Sequence, residues 1–420
     1  MKKIATLLII LFALNSFSQE KISLKECYML VEKNYPLSKQ YNLLTKQNAL
    51  EKEIIKTGKL PQIDFESKAT YQSEVIELPI SLPDVNITPP NNDQYQLNLN
   101  VNQLIYDGGH TNAALEEKTA SLKTQQKQVE VNLYQLKERV NQLYFSILLL
   151  QEKRALLHAK KNELASTLKE VNAGVKFGTL LPNSESVLEA ELLKVDQQFI
   201  ELDKNKFSYI KSLSQLIGEN ISSEITLDNP EISLDFNTRI NRPELDLFKL
   251  KKSQIKASEK LISKNNSPKL SGFATGGYGN PGLNMLDNSF QAYYLAGIKL
   301  KWNVFDWNSN KKQLKSLQVN KEIIDTEQEV FELNTSIELT KHEAEIIKIS
   351  EIIESDKKII SLRKKILKTS ASQLKNGVIT ASAYITELTN LYEAENNLKA
   401  HYTQLLYSKA NYNTTKGTKN

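Results

Sequence analysis

Two periodicities alternate along this chain, one of two residues in short stretches and one of seven in long ones. From Ile63 to Val75 the odd positions hold Ile63, Phe65, Ser67, Ala69, Tyr71, Ser73 and Val75, while the even ones hold Asp64, Glu66, Lys68, Thr70, Gln72 and Glu74. One mostly apolar face against one wholly polar face predicts a strand with a wet side. The same alternation returns where Tyr95, Leu97, Leu99 and Val101 interleave with Gln94, Gln96, Asn98, Asn100 and Asn102, and again where Tyr294, Ala296, Ile298, Leu300, Trp302 and Val304 interleave with Lys299, Lys301 and Asn303. A fourth stretch, Leu270 to Tyr278, is rich in glycine and less regular. Strands are therefore expected at about 62–75, 93–105, 269–279 and 291–304.

The seven-residue period belongs to helices. Leu115, Leu122, Val129, Leu136, Leu143, Leu150, Leu157, Leu164 and Val171 form one run, and Leu339, Ile346, Ile353, Ile360, Leu367 and Leu374 form a second. These are heptad seams. A continuous helix from Gly109 to Asn172 would be about 95 Å long at roughly 1.5 Å per residue, deeper than any compact core. It has to pack along other helices, and Ser23 to Thr57 with Leu180 to Ile217, each about half its length, would line its side end to end. Ser23 followed by Glu26 reads as a capping box, Pro36 and Pro243 sit at helix starts, and Gly58 can end a helix. Gly178 and Gly377 each follow a seam and precede a fresh helical pattern, so each marks a helical hairpin turn at the end remote from the strands.

The punctuation repeats. Asn34, Pro36 and Pro61 match Asn241, Pro243 and Pro268 at an offset of 207, whereas Ile105, Tyr106, Asp107 and Gly178 match Val304, Phe305, Asp306 and Gly377 at 199. One eight-residue indel reconciles the two offsets, and it falls in the longer first-half connection from Ile76 to Asn92, an exposed loop rich in Pro, Asn and Asp. The chain thus divides into residues 1–18, a first repeat over 19–230 and a second over 231–420, each of the plan helix, strand, loop, strand, long helix, turn, helix.

The amino terminus sets the compartment. Lys2 and Lys3, an apolar run from Ile4 to Leu14, and Ser16 and Ser18 before Gln19 read as a secretory signal peptide. The lone Cys27 lies beyond the expected cleavage point, so neither a lipid anchor nor a disulfide is expected. Removing the two lysines takes the net charge from +5 to 5 − 2 = +3, spread over mixed-sign segments, which gives no footprint for nucleic acid. No later stretch approaches 18 consecutive apolar residues, so any membrane span has to be built of strands. An ordinary soluble sheet would alternate too. Faces rich in Asn, Gln and Lys, with Tyr and Trp near strand ends, instead suit a water-filled lumen and membrane interfaces. Four strands cannot close a barrel, since about eight is the minimum, so several chains must contribute to one.

Catalytic chemistry finds no constellation. His110, His158, His342 and His401 are scattered without ligand spacing, and Gly272 to Gly282 lacks the following Lys-Ser or Lys-Thr of a phosphate loop. Acid pairs such as Glu116–Glu117 lie in mixed-charge helical stretches. No enzyme activity, metal or cofactor is expected.

Against this background Leu104-Ile105-Tyr106-Asp107-Gly108-Gly109 resembles the strand-to-helix joint of the TolC-like outer-membrane efflux proteins. Arg242-Pro243-Glu244-Leu245 resembles the opening of that family's second repeat, and Ser23-Leu24-Lys25-Glu26 its first helix. Gly178-Thr179-Leu180 and Gly377-Val378-Ile379 resemble its hairpin tips. The resemblance covers nearly all of the chain after residue 18. It implies a mainly α fold with a small membrane β part, in which a homotrimer forms a twelve-stranded β-barrel in outer-membrane lipid and a long periplasmic α-helical coiled-coil barrel. It further implies that the tips contact a periplasmic adaptor (membrane fusion) protein of an inner-membrane pump, and that the chain is the passive exit duct of a tripartite efflux system. A type I protein-secretion outlet is the alternative within the class, and a periplasmic coiled-coil scaffold the alternative outside it. The second joint, Phe305-Asp306-Trp307-Asn308, departs from the pattern by lacking the paired glycines. Gly377 to Tyr384 contains no acid, which argues against a carboxylate gate there and leaves apolar closure by Val378 and Ile379.

Overall fold

The computed structural model describes residues 21–76, 89–234, 236 and 239–418. The signal peptide expected at Met1 to Ser18 and most of the loop expected from Ile76 to Asn92 lie outside the described residues. In chain order the elements are β1 (Lys21–Ile22), α1 (Leu24–Asn34), α2 (Lys39–Thr57), β2 (Gln62–Tyr71), β3 (Asp93–Tyr106), α3 (His110–Lys176), α4 (Asn183–Ile217) and β4 (Thr226–Leu227). They continue with α5 (Pro243–Ser263), β5 (Lys269–Asn280), β6 (Gln291–Lys301), α6 (Ser309–Lys375) and α7 (Ala381–Lys416). Helix–strand–strand–helix–helix occurs twice, with α3 and α6 each running 67 residues unbroken. None of the described helices is long and apolar enough to cross a membrane.

The chain divides into two compact units that cut across the repeats. One comprises Met1–Gln40, Val129–Leu245 and Glu329–Asn420; the other comprises Tyr41–Gln128 and Asp246–Gln328.

The first unit is helical, apart from a short parallel ribbon of β1 with β4. Helix α1 starts in a capping box, with the Glu26 N–H donating to Ser23 Oγ at 3.2 Å and the Ser23 N–H donating to Glu26 Oε2 at 2.8 Å. Its buried face, Leu24, Cys27, Tyr28 and Val31, packs with Val140, Tyr144, Ile147 and Leu148 of α3 and with Ile210, Leu213 and Ile217 of α4. A second cluster gathers Leu157, Leu164 and Val171 of α3, Leu188 and Val195 of α4, Leu374 of α6, and Tyr384 and Leu388 of α7. Of the seam, Val129, Leu157, Leu164 and Val171 are fully buried. Leu136 and Leu143 are only partly buried, while the off-seam Val140, Tyr144, Ile147 and Leu148 are buried against α1 and α4, so the apolar face of α3 is wider there than a two-position seam.

The Arg242-Pro243-Glu244-Leu245 motif ties the start of the second repeat to the end of α7. Arg242 donates to Glu244 through Nε at 3.0 Å, lies over the Tyr134 ring at 4.7 Å, and donates through Nη1 to the Thr414 carbonyl at 3.2 Å. Tyr134 Oη donates to the same carbonyl at 2.8 Å, and the Asn241 N–H donates to Lys416 O at 2.9 Å. A guanidinium and two further donors thus satisfy the last carbonyls of a helix, at its negative end.

The second unit carries a four-stranded antiparallel sheet in the order β2-β3-β5-β6. Two hairpins, β2-β3 and β5-β6, meet through the central β3-β5 pairing, in register from Tyr95↔Asn280 to Leu104↔Ser271 and shifted by a bulge before Tyr106. Both β2 and β6 end the sheet with an open edge. Polar contacts dominate between its helical segments: Lys118–Glu51 at 3.1 Å, Lys321–Glu259 at 2.7 Å, and Asn48 Nδ2 to Lys118 O at 2.7 Å.

Candidate functional site

The sheet sorts its residues by face. Registers Phe65↔Leu99, Leu99↔Gly276 and Gly276↔Tyr294 put these residues on one side, and Ile63↔Val101, Val101↔Ala274 and Ala274↔Ala296 continue it. Nothing in the second unit covers this face: Phe65 is 71% exposed, Tyr294 84% and Ile298 71%. The opposite face is a polar ladder in which Tyr293 Oη donates to Asn98 Oδ1 and Thr275 Oγ1 donates to Asn100 Oδ1, both at 2.7 Å. Aromatic residues mark both ends of the sheet. Phe290 stacks between Tyr95 and Tyr278, at 6.3 and 5.7 Å, and at the opposite end Phe305 meets Trp307 edge-on at 4.8 Å near Trp302. An uncovered apolar band between two aromatic girdles, backed by a polar face, is the signature of a strand set that separates lipid from water.

Each strand-to-helix joint turns on an aspartate. Asp107 accepts from the Gly109 N–H at 2.9 Å and the Thr111 N–H at 2.8 Å, capping α3, while the chain passes Gly108 and Gly109 at φ +66° and +86°. Burial raises the Asp107 carboxyl, but the hydrogen bonds from Thr111 and Gly109 outweigh it and hold the group at about 2. Gly108 has no substitute there, since a Cβ would lie 2.1 Å from Ser267 Cβ. Asp306 does the same for α6, accepting from the Asn310 N–H at 2.9 Å and from Asn266 Nδ2 at 2.7 Å, and the Asn266 bond leads in lowering its carboxyl. The missing glycines are replaced by Trp307 and Asn308, at φ +54° and +59°.

The two helical hairpin turns, in the first unit, are built alike. Gly178 and Gly377 adopt φ +72° and +70°, the left-handed region in which glycine alone is unstrained. The Gly178 N–H donates to Val175 O at 3.0 Å and the Thr179 N–H to Gly174 O at 2.8 Å; the Gly377 N–H donates to Leu374 O and the Val378 N–H to Gln373 O, both at 2.9 Å. This paired closure is the Schellman motif. The turns are neighbours, because a Cβ on Gly377 would sit 3.3 Å from Thr179 O. Of the six tip residues, Leu180 and Ile379 pack back against the lower core, whereas Gly178, Thr179, Gly377 and Val378 are exposed. Phe177 and Leu181, 79% and 58% exposed, add apolar surface that the sequence reading missed; two apolar residues flanking a turn glycine off the heptad were the available signal.

No cluster of three or more potential metal-binding side chains occurs among the described residues. Cys27 is fully buried and its thiol is pushed up to about 12 by desolvation, which leaves it unreactive.

Residues 53–219 match the family model described as outer membrane efflux protein. Over that stretch the chain is similar to the outer membrane efflux proteins. Solved structures agree on the fold. VceC of Vibrio cholerae superposes with a TM-score of 0.65 at 14% identity over 94% of this chain and 96% of its own. CmeC of Campylobacter jejuni gives 0.63 at 15% over 94% and 85%, and the open-state channel MtrE of Neisseria gonorrhoeae 0.63 at 14% over 94% and 88%. A sequence comparison with curated proteins gives no match.

Proposed function

We propose that three copies of this chain close one twelve-stranded barrel in the outer membrane above a helical tunnel, and that the assembly is the passive duct of a tripartite efflux system. The observation that carries the reading is the sheet: four strands, two open edges, one apolar face without cover and one polar face. Four strands cannot close on themselves, and three sets give 3 × 4 = 12. Ten residues of β2 at about 3.3 Å each, tilted by about 45°, span about 23 Å, close to the apolar band of such barrels. Helix α4 adds support. It buries Leu188 and Val195, yet presents a second heptad stripe at Leu193, Ile200 and Phe207, 57–67% exposed, which a neighbouring copy would cover.

In this reading the tips Gly178-Thr179-Leu180 and Gly377-Val378-Ile379 meet a periplasmic adaptor protein, through which an inner-membrane pump delivers solute. The channel contributes a polar wall and no energy. Outer-membrane fractionation, a heat-modifiable trimer on gels and ion conductance in a planar bilayer are expected; a water-soluble monomer that never enters lipid overturns the proposal. For the tips, Gly178→Trp and Gly377→Trp should weaken adaptor capture and transport while the trimer still forms, and unchanged transport in both removes that role.

A further inference from the structure

A sheet completed by copies of itself has one kind of seam, β6 of one protomer against β2 of the next. The backbone restricts how that seam pairs. Gln72 donates its N–H to Asn92 O at 2.8 Å, so even-numbered residues of β2 direct their backbone groups towards β3 and odd-numbered ones towards the open edge. Carried through Gln62↔Asn102, Asn102↔Phe273 and Phe273↔Gly297, the alternation leaves the even-numbered residues of β6 facing its own open edge. Odd residues of β2 therefore hydrogen-bond with even residues of β6, which also keeps apolar with apolar. Only registers two residues apart remain in competition.

Charge chooses among them. On the polar face the inner strand β3 presents only Gln and Asn from Gln94 to Asn102, and β5 a single lysine at its start, Lys269, opposite Lys301. The edges are charged and of opposite sign. Strand β2 carries Asp64 and Glu66, followed by Lys68, and β6 carries Lys299 and Lys301, all exposed. Asp64, Glu66, Lys299 and Lys301 make no ion pair within the chain among the described residues.

We propose that the seam is fixed in one register by two ion pairs between copies, Lys299 with Glu66 and Lys301 with Asp64. Both would be non-hydrogen-bonded pairs, in which facing side chains come closest. The same register sets Phe65 against Leu300 and Ile63 against Trp302 on the apolar face. A slip of two residues one way leaves a single pair, Lys299 with Asp64. The opposite slip leaves Lys301 with Glu66 and forces Lys299 against Lys68.

Barrel geometry agrees. A path straight across the sheet runs from Gln62 to Gly297, which in this register meets position 68 of the next copy, a climb of 68 − 62 = 6 residues per chain and 3 × 6 = 18 around three. With about 3.3 Å per residue and about 4.8 Å between strands, twelve strands then tilt by about 45°, whereas the two slips give about 35° and about 54°. The larger slip falls outside the range in which barrels close, and the smaller loses an ion pair in every seam.

The inference rests on the trimeric-barrel reading, and its test separates the two. In outer membranes holding the full chain, oxidation of Ser67→Cys with Ile298→Cys should give covalent dimers and trimers on non-reducing gels, these being a hydrogen-bonded pair about 5.5 Å apart. Ser67→Cys with Ala296→Cys, or with Leu300→Cys, should not. Asp64→Lys with Glu66→Lys should lower the yield of heat-modifiable oligomer about tenfold or more, and adding Lys299→Glu with Lys301→Asp should restore it. Cross-linking in a slipped pair, no cross-linking in a wild-type-like trimer, or full oligomer yield from the unrescued reversal overturns the seam and leaves the barrel standing. A wild-type chain that remains monomeric in membranes overturns both.

Discussion

At the first strand-to-helix joint the backbone passes through Gly108 and Gly109 in the left-handed region; at the second it makes the same turn through Trp307 and Asn308. The aspartate beforehand and its acceptance from the N–H four residues on are common to both, so the cap carries the geometry. The residues that follow answer to local crowding. Ser267 packs where a side chain on Gly108 would go, while Trp307 lies 80% exposed and spends its ring on Phe305. A duplicated joint can thus exchange freedom of backbone for an interfacial aromatic, provided nothing packs on the turn.

The largest effect should come from putting a methyl where the first joint has none. Gly108→Ala combines a positive φ with a backbone-adjacent clash and should cost about 2–4 kcal/mol of stability, read as a fall in the denaturant midpoint of protein refolded in detergent. Adding Ser267→Gly should recover part of the loss, and a lone Gly108→Ala that is neutral would show that packing at the joint is looser than the contacts indicate. Next, Asp107→Ala should cost about 1–2 kcal/mol by removing a cap. Because the Asp107 carboxyl sits at about 2 when folded, below its ordinary value, its contribution is complete above about pH 4 and is lost as pH falls through 2. Asp107→Asn should accordingly flatten the acid limb of a stability–pH curve. Asp306→Ala should act in the same direction but more weakly, Asp306 being less buried than Asp107; a loss equal to that of Asp107→Ala would mean the two caps do not differ by burial. Smallest of all, Asn308→Gly should stabilise by about 0.5 kcal/mol, since it relieves a left-handed residue. A destabilising result would place Asn308 in a contact that the turn itself does not explain.

The fold class was legible because both periods are strong, and the residues that obscured parts of it have physical reasons. Strand β5 reads poorly because its glycines make room for other side chains: a Cβ on Gly277 would fall 2.3 Å from the Tyr293 ring, so one strand's polar-face volume is supplied by its neighbour. Alternation on β2 runs on to Val75, yet the strand ends at Tyr71, opposite Asp93 where β3 begins, with the Gln72–Asn92 bond just beyond it. The heptads located the lower core at Leu157, Leu164 and Val171 but not Tyr144 or Ile147, since a helix surrounded on several sides buries more than one stripe. Of the candidate site residues, the turn glycines announced themselves by their place between two helical patterns, where the chain needs a left-handed residue. Leu180 and Ile379 could not be divided from Thr179 and Val378 without knowing which way each turn leans on the core.

The clamp of Arg242 and Tyr134 on the Thr414 carbonyl joins positions 172 and 280 residues apart in sequence. Such long loops close late, so the helical core cannot be sealed until the last helix is in place. Until then the early segments keep their apolar faces bare, and in the outer-membrane reading proposed above a periplasmic holding factor would find its substrate in this interval.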